Sequence, residues 1–249
     1  MILKKQLIDQ VMVLTFNHEK IQNPFSEELY TAVLSALNEG EKDDKISAFV
    51  LYGGEDRSFS AGGDFKEIID FCTFDRVKLA LDNIIDFYVG ILKINKPIIA
   101  AIDNYCIGMG FQVALCADYR IASDRAKFIM PELKNGVACT LGGLMLEYLV
   151  GRLQMIPICF DGNKIPLEDC KRLGIANEIL LAEDVLNTAV ERASYYGSFP
   201  TMAFRGTKRV NNNRFVQALE SVREETSLVH FSVFETNQHR KHMENIISK

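Results

Sequence analysis

The sequence predicts an α/β fold of parallel βαβ units with a helical C-terminal region, and three observations carry that prediction. Short apolar runs of β type recur at Val11 to Phe16, Ala48 to Tyr52 and Ile98 to Ile102. Between the second and third, Asp75 to Leu92 places Leu79, Ile84, Ile85, Tyr88 and Leu92 at helical spacing. Past Ser123 the only convincing strands are short pieces near Phe128-Ile129 and Ala176 to Leu180, and the last third reads as mostly helical. Strands that alternate with helices pair in parallel, because each crossover helix returns the chain to the same edge of the sheet.

Taken in order, Val11 to Phe16 is followed by the turn-like Asn23-Pro24-Phe25 and then Ser26. A hydroxyl at Ser26 can cap a helix start, and Glu27 and Glu28 suit its positive end, so a helix to about Glu41 is expected. Ala48 to Tyr52 is ended by Gly53-Gly54, and Ile98 to Ile102 is entered through Lys96-Pro97. Helices are expected at Asp184 to Tyr196, after Pro200, and from Phe215 to about Lys241, the last through Leu219, Val222, Thr226, Val229 and Val233. No repeat, low-complexity tract or linker interrupts the chain. The expected organisation is therefore a core over 1–195 and a helical region over 196–249 that packs on the core or on a neighbouring subunit.

Composition limits the partners. The 249 residues carry 28 Lys+Arg against 33 Asp+Glu, a net charge of −5, and no basic cluster is denser than Arg240-Lys241. Nucleic acids and anionic membranes need a basic stripe and are not expected. The longest uncharged stretch, Asn104 to Ala117, is 14 residues, short of the roughly 20 that span a bilayer. The N-terminus lacks a long apolar segment with a small-residue cleavage site, so a cytoplasmic protein is expected. The six cysteines include no C-x-x-C pair and read as reduced, buried small hydrophobes. His239 and His242 sit in a charged tail and read, like His18, as solvated. No metal site is assigned.

Two glycine loops carry the chemistry. Ser58-Phe-Ser-Ala-Gly-Gly-Asp-Phe-Lys-Glu67 follows a strand and precedes a likely helix, and Asp103-Asn-Tyr-Cys-Ile-Gly-Met-Gly-Phe-Gln112 repeats that arrangement. Each is readable as a tight turn. Gly108-Met-Gly110 is a poor dinucleotide fingerprint, since it lacks the third glycine and the acidic residue at the end of a following strand. Two such loops at equivalent strand ends can instead each present one main-chain N–H to a single oxygen, which is the geometry of an oxyanion hole.

Phe59-Ser-Ala-Gly-Gly-Asp-Phe65, Lys96-Pro-Ile-Ile-Ala-Ala101, Gly108-Met-Gly-Phe-Gln-Val-Ala-Leu115, Asp118, Arg120 and Pro131-Glu132 together resemble the crotonase, or enoyl-CoA hydratase/isomerase, superfamily. The likeness runs in order along nearly the whole chain. It implies an α/β spiral of ββα repeats, a helical C-terminal trimerisation region giving a homotrimer or a dimer of trimers, and a coenzyme A thioester as substrate with no permanently bound cofactor. It also places the oxyanion hole at the N–H groups of Gly63 and Met109. The thioester cleft falls to Asn23, Pro24, Ser60, Ala61, Gly62, Asp64 and Gly108, with the ADP part at the surface near Ser60 to Asp64.

Hydratases of this superfamily use two glutamates. Here the first position is Gln112 and the second is Glu132. An amide cannot exchange a proton at neutral pH, which disfavours water addition by a carboxylate pair. Gln112 can still position a substrate or water, or be a helix residue satisfied by backbone. Glu132 lies in the apolar setting Phe128-Ile-Met-Pro-Glu-Leu133, where burial would raise its pKa, although Pro-Glu is also a generic helix start. His230 flanks the apolar stripe of the last helix and is either a pocket residue or a satisfied core histidine.

Finer features narrow the resemblance to the carboxymethylproline synthase family. They are Asn23-Pro-Phe-Ser26, Arg57-Ser-Phe-Ser-Ala-Gly-Gly-Asp-Phe65, Met130-Pro-Glu-Leu-Lys134 with Gly136, Thr207-Lys-Arg-Val-Asn211 and His230. That family combines malonyl-CoA with a cyclic imine, pyrroline-5-carboxylate, with loss of carbon dioxide, and then hydrolyses the thioester. The resemblance implies that Gly63 and Met109 hold the enolate, that Glu132 activates water, and that Gln112 and His230 order the pocket. The family's pocket tryptophan aligns with Ala80, and Asn135 and Cys139-Thr140 replace a histidine and a Cys-Ser pair. The alternatives are a Δ3,Δ2-enoyl-CoA isomerase or hydratase-like enzyme with a single glutamate, and a non-catalytic acyl-CoA-binding trimer.

Overall fold

The computed structural model describes residues 1–69, 73–237, 239–240 and 243–244. Strands β1 (Leu3–Ile8) and β2 (Val11–Phe16) form an antiparallel hairpin, and α1 (Glu27–Glu41) leads to β3 (Ala48–Tyr52). Helices α2 (Phe65–Ile68) and α3 (Phe74–Lys93) precede β4 (Ile98–Ile102), β5 (Tyr105–Ile107) and α4 (Met109–Leu115). Then come β6 (Tyr119–Ser123), β7 (Lys127–Ile129), a 3-10 turn at Glu132–Asn135, α5 (Thr140–Val150), α6 (Arg152–Asp161) and α7 (Leu167–Arg172). The chain continues through β8 (Glu178–Leu180), α8 (Val185–Gly197), α9 (Thr201–Ser221) and α10 (Arg223–Glu235).

The main sheet has the order β1-β2-β3-β4-β6-β8, parallel from β2 onward. Its middle strands are buried on both faces, which is why they read as unbroken apolar runs. On one face Val11, Val13, Val50, Ile99 and Ile121 meet Val185, Ala189 and Ala193 of α8. The opposite face carries Leu14, Phe16, Phe49, Leu51 and Ile98 into the larger core under α1 and α3. Each such fully buried side chain contributes about 1.5–3 kcal/mol.

A second, shorter ladder runs alongside. Phe25 bridges Gly63, Ser60 bridges Cys106, and β5 pairs in parallel with β7. Successive turns of chain thus place one strand in the main sheet and one short extended segment in the second ladder before a helix, which is the expected spiral of ββα repeats. Gly63, Gly108 and Glu132 each follow an extended segment of this second ladder, so one end of it gathers all three.

Several expectations need correction. The region from Phe215 onward is not one helix: α9 ends at Ser221, and Val222 (φ −102°, ψ 4°) separates it from α10. The apolar spacing of Leu219, Val222 and Thr226 runs through the break and conceals it. Edge strand β1 and the short strands β5 and β6 were not foreseen. His18 is buried, and its Nδ1 accepts from the Lys20 N–H. His239 is also buried, with its ring 4.6 Å from that of Phe234. Cys72, Lys241 and His242 lie outside the described residues.

The C-terminal helices are tied to the core through polar contacts. Lys208 Nζ, buried on α9, donates to Asp118 Oδ2 at 2.6 Å and to the Lys96 carbonyl at 2.8 Å. Asn212 Nδ2 donates to the Leu92 carbonyl, and Arg223 donates to Asp82 and Asp86 of α3. Among the described residues, no helix is long and apolar enough to cross a membrane.

Candidate active site

The two glycine loops lie side by side because the chain stitches them together. Ser60 N–H donates to the Tyr105 carbonyl and Ile107 N–H to the Ser60 carbonyl, while Gly108 N–H donates to Ile129. Gly110 must lack a side chain, since a Cβ there would sit 2.6 Å from Ser60 Cβ and 2.8 Å from its carbonyl oxygen. Gly108 has φ +52°, a conformation that favours glycine. Among the described residues, no main-chain carbonyl takes the N–H of Gly63 or of Met109. Both residues line a cavity of about 140 Å³.

Other residues expected in the cleft shape it from behind. Asn23, fully buried with φ +47°, spends its amide within the protein: Nδ2 donates to the carbonyls of Gly53 and Ser58, and Oδ1 accepts from the His18 N–H and the Arg57 guanidinium. Pro24 beside it is also buried. Neither lines the cavity, so both fix the loop that packs on Gly62 and Gly63. Ser60 Oγ accepts from the Gly62 N–H, and Asp64 caps α2 by accepting from Lys66 N–H. Ala61 and Gly62 line the cavity. Ala80 does not; it lines an adjoining cleft of about 410 Å³ with Tyr30, Asp64, Lys66 and Arg76. The two spaces share Gly63, Ile68, Ile84 and Met109.

Glu132 opens the 3-10 turn after β7, where Gly136 in the left-handed region ends it. The residue is partly exposed as a whole, yet its Oε2 is sealed from water and has no partner among the described residues. Oε1 accepts from Gln112 Nε2 at 2.9 Å. Burial pushes the carboxyl up to about 7, against hydrogen bonds from its own N–H and from the side chains of Gln112 and Cys139.

Gln112 is neither satisfied by backbone nor free for substrate. Its Oε1 accepts from the Tyr88 hydroxyl at 2.9 Å, and Nε2 also approaches Met130 Sδ at 3.7 Å. His230 lies on the cavity wall, but its ring is engaged by main chain: Nδ1 is 2.8 Å from the Thr226 carbonyl, and a further bond reaches Ala138. Burial holds its imidazole below the usual range. His230 thus ties α10 to the loop before α5. Tyr88 and Cys139 escaped sequence reasoning as site residues. Tyr88 was visible only as one position of an apolar stripe, and nothing local to Cys139 marks its approach to Glu132. Among the described residues, no group of three His, Cys, Asp or Glu could hold a metal.

A family model described as enoyl-CoA hydratase/isomerase matches residues 7–248. The chain belongs to the enoyl-CoA hydratase/isomerase family. Members of this crotonase superfamily act on acyl-CoA substrates. It is 38% identical over 241 residues to the carboxymethylproline synthase of Pectobacterium carotovorum, covering 97% of this chain and 96% of that one. The solved structure of ThnE from S. clavuligerus is 32% identical with a TM-score of 0.80, covering 91% of this chain and 100% of that one. The enoyl-CoA hydratase of Bacillus halodurans, 22% identical, shares the fold with a TM-score of 0.88 over 98% of this chain and 100% of that one.

Proposed function

We propose that the protein forms a carbon–carbon bond from malonyl-CoA and a cyclic imine and then hydrolyses the thioester, a reading that the 38% identity to a carboxymethylproline synthase supports. The observation that carries this reading is the Gln112–Glu132 hydrogen bond at 2.9 Å. It leaves one carboxylate where paired acid–base hydration would need two. Decarboxylation needs no base: the C–C electron pair flows into the thioester, carbon dioxide leaves, and the N–H groups of Gly63 and Met109 hold the enolate oxygen. The enolate carbon attacks the carbon of the protonated imine, and the C=N π pair moves onto nitrogen to leave a neutral amine. Glu132 then accepts a proton from water as it attacks the thioester carbonyl, the same two N–H groups hold the tetrahedral oxyanion, and on its collapse the C–S bond breaks as Glu132 returns that proton to sulfur, so coenzyme A departs as a thiol.

No permanently bound cofactor enters this scheme. Ala80, where the related family carries tryptophan, would admit a second substrate larger than pyrroline-5-carboxylate. The exposed apolar residues Leu228 and Val229 on α10, with Met202 and Val210 on α9, support assembly as a homotrimer or a dimer of trimers. One further observation supports a second reading: a Glu132 carboxyl near 7 with a free Oε2 also suits the single proton shuttle of a Δ3,Δ2-enoyl-CoA isomerase.

Incubation with malonyl-CoA, with and without pyrroline-5-carboxylate, followed by mass spectrometry tests the proposal. The expected products are free coenzyme A and a carboxymethylated cyclic amino acid that forms only with the imine. Unchanged malonyl-CoA together with turnover of a 3-enoyl-CoA would favour the isomerase instead.

A further inference from the structure

Tyr88 lies 24 residues before Gln112 on a different helix, is fully buried, and places its hydroxyl 2.9 Å from Gln112 Oε1. Its position on the cavity wall puts it beside the proposed reaction. We propose that Tyr88 is a positioning residue: its hydroxyl fixes the Gln112 amide with Nε2 turned toward Glu132, and so sets the protonation state in which Glu132 meets the thioester.

The amide has two orientations related by a half turn. In the one present, Nε2 donates to Glu132 Oε1 and Oε1 accepts the phenol proton, so all three polar groups are matched. The reversed amide would turn its oxygen against Glu132 Oε1, tolerable only if Glu132 carried a proton. It would also strand the phenol proton, because among the described residues the Tyr88 hydroxyl has no second acceptor. Burial keeps the phenol far above its ordinary pKa, so it stays a donor throughout the working range. Gly142 leaves room for this arrangement, since a Cβ there would lie 3.1 Å from Gln112 Nε2 and 2.7 Å from Met130 Sδ.

The other groups around Glu132 do not perform this task. Cys139, just before α5, lies near the carboxyl and has Cys159 of α6 behind it. The Cys159 contact, with burial, keeps the Cys139 thiol protonated. His230 of α10 is bound to main chain. Among the described residues, no Lys, Arg or Asp lines the cavity. The orientation of one amide is thus the variable that favours the ionised or the protonated carboxyl, and Tyr88 controls it.

The inference rests on the role proposed for Glu132, but it is tested without any substrate. Carbon-13 NMR of protein labelled at the glutamate carboxyls, with Glu132→Gln assigning the resonance, follows the titration of Glu132 directly. Tyr88→Phe should raise the midpoint by about one pH unit, a tenfold change in proton affinity. In a Gln112→Met background the same change should leave it unmoved, because Tyr88 acts through the amide. No shift from Tyr88→Phe, or an equal shift in both backgrounds, would overturn the proposal. The companion readout is the pH dependence of coenzyme A release from malonyl-CoA, whose acid limb should move up with the NMR midpoint. A complete lack of malonyl-CoA turnover by the wild type would count against the proposed reaction and leave the NMR test to decide the role of Tyr88.

Discussion

Gln112 Nε2 donates to Glu132 Oε1 at 2.9 Å, and the two side chains come from consecutive turns of the spiral, one on α4 and one just after β7. The amide stands where the resemblance to hydratases implies a second glutamate. It converts a carboxylate pair into one carboxylate with a fixed donor.

Hydration should suffer first. General acid–base groups contribute on the order of 10² to 10⁴ in rate, so crotonyl-CoA hydration by the wild type should fall below that of a paired-carboxylate enzyme by about that factor. Loss of the conjugated enoyl absorbance measures it. Turnover at about 10³ s⁻¹, the upper end of ordinary enzymes, would show that one carboxylate suffices.

The buried carboxyl should also mark stability. Burial pushes the Glu132 carboxyl up to about 7 in the folded protein, against an ordinary value of 4.5. Below the lower value both states are protonated and nothing is lost. Between the two values the unfolded chain ionises while the folded one keeps its proton, so stability falls as pH rises, and the loss is complete above the folded value. Glu132→Gln removes that titration. It should make the protein more stable than wild type at pH 8 by up to about 3 kcal/mol, with the difference vanishing toward pH 4.5. Urea unfolding of both proteins across this range checks the slope.

Gly110→Ala should separate the two glycine loops, because its Cβ would lie 2.8 Å from the Ser60 carbonyl oxygen and main chain has to move. Overpacking of this kind costs about 1–3 kcal/mol. Loss of one aligned N–H donor costs on the order of 10² to 10³ in kcat. Unfolding curves and malonyl-CoA turnover should show both effects in the same variant.

Lys208→Met should leave the chemistry alone and weaken the fold. It strands Asp118, whose Oδ2 also accepts from the Ile98 N–H, at the seam between α9 and the main sheet. Breaking a fully buried pair by removing one partner costs about 3–5 kcal/mol, and the partial exposure of Asp118 should bring the loss below that range. Denaturant unfolding should record the loss, while kcat of the folded fraction stays unchanged.

The strands at Val11–Phe16, Ala48–Tyr52 and Ile98–Ile102 were legible because both of their faces are buried, so the apolar run is continuous. Edge strand β1, reading Leu-Lys-Lys-Gln-Leu-Ile, was not, because only Leu3 is buried and the run of Lys4, Lys5 and Gln6 breaks the apolar pattern. The positions of Gly63, Met109 and Glu132 could be anticipated, since each follows a strand-like segment with a local motif. What Gln112 does could not, because its partners Tyr88 and Glu132 are distant in sequence and meet only through tertiary packing. The burial of His18 and His239 was hidden for the same reason, as their charged neighbours suggested a solvated face.

The division of labour between backbone and carboxylate is tested most directly by comparing carbon dioxide release with coenzyme A release from malonyl-CoA, in wild type and in a folded Glu132→Ala variant. If the enolate is held by Gly63 and Met109 while Glu132 serves the later hydrolysis, coenzyme A release should fall by about 10² or more, the scale of a lost general base. Carbon dioxide release should fall by less than about tenfold, since that step requires no proton transfer. Equal loss of both products would contradict the account and place Glu132 in the decarboxylation itself.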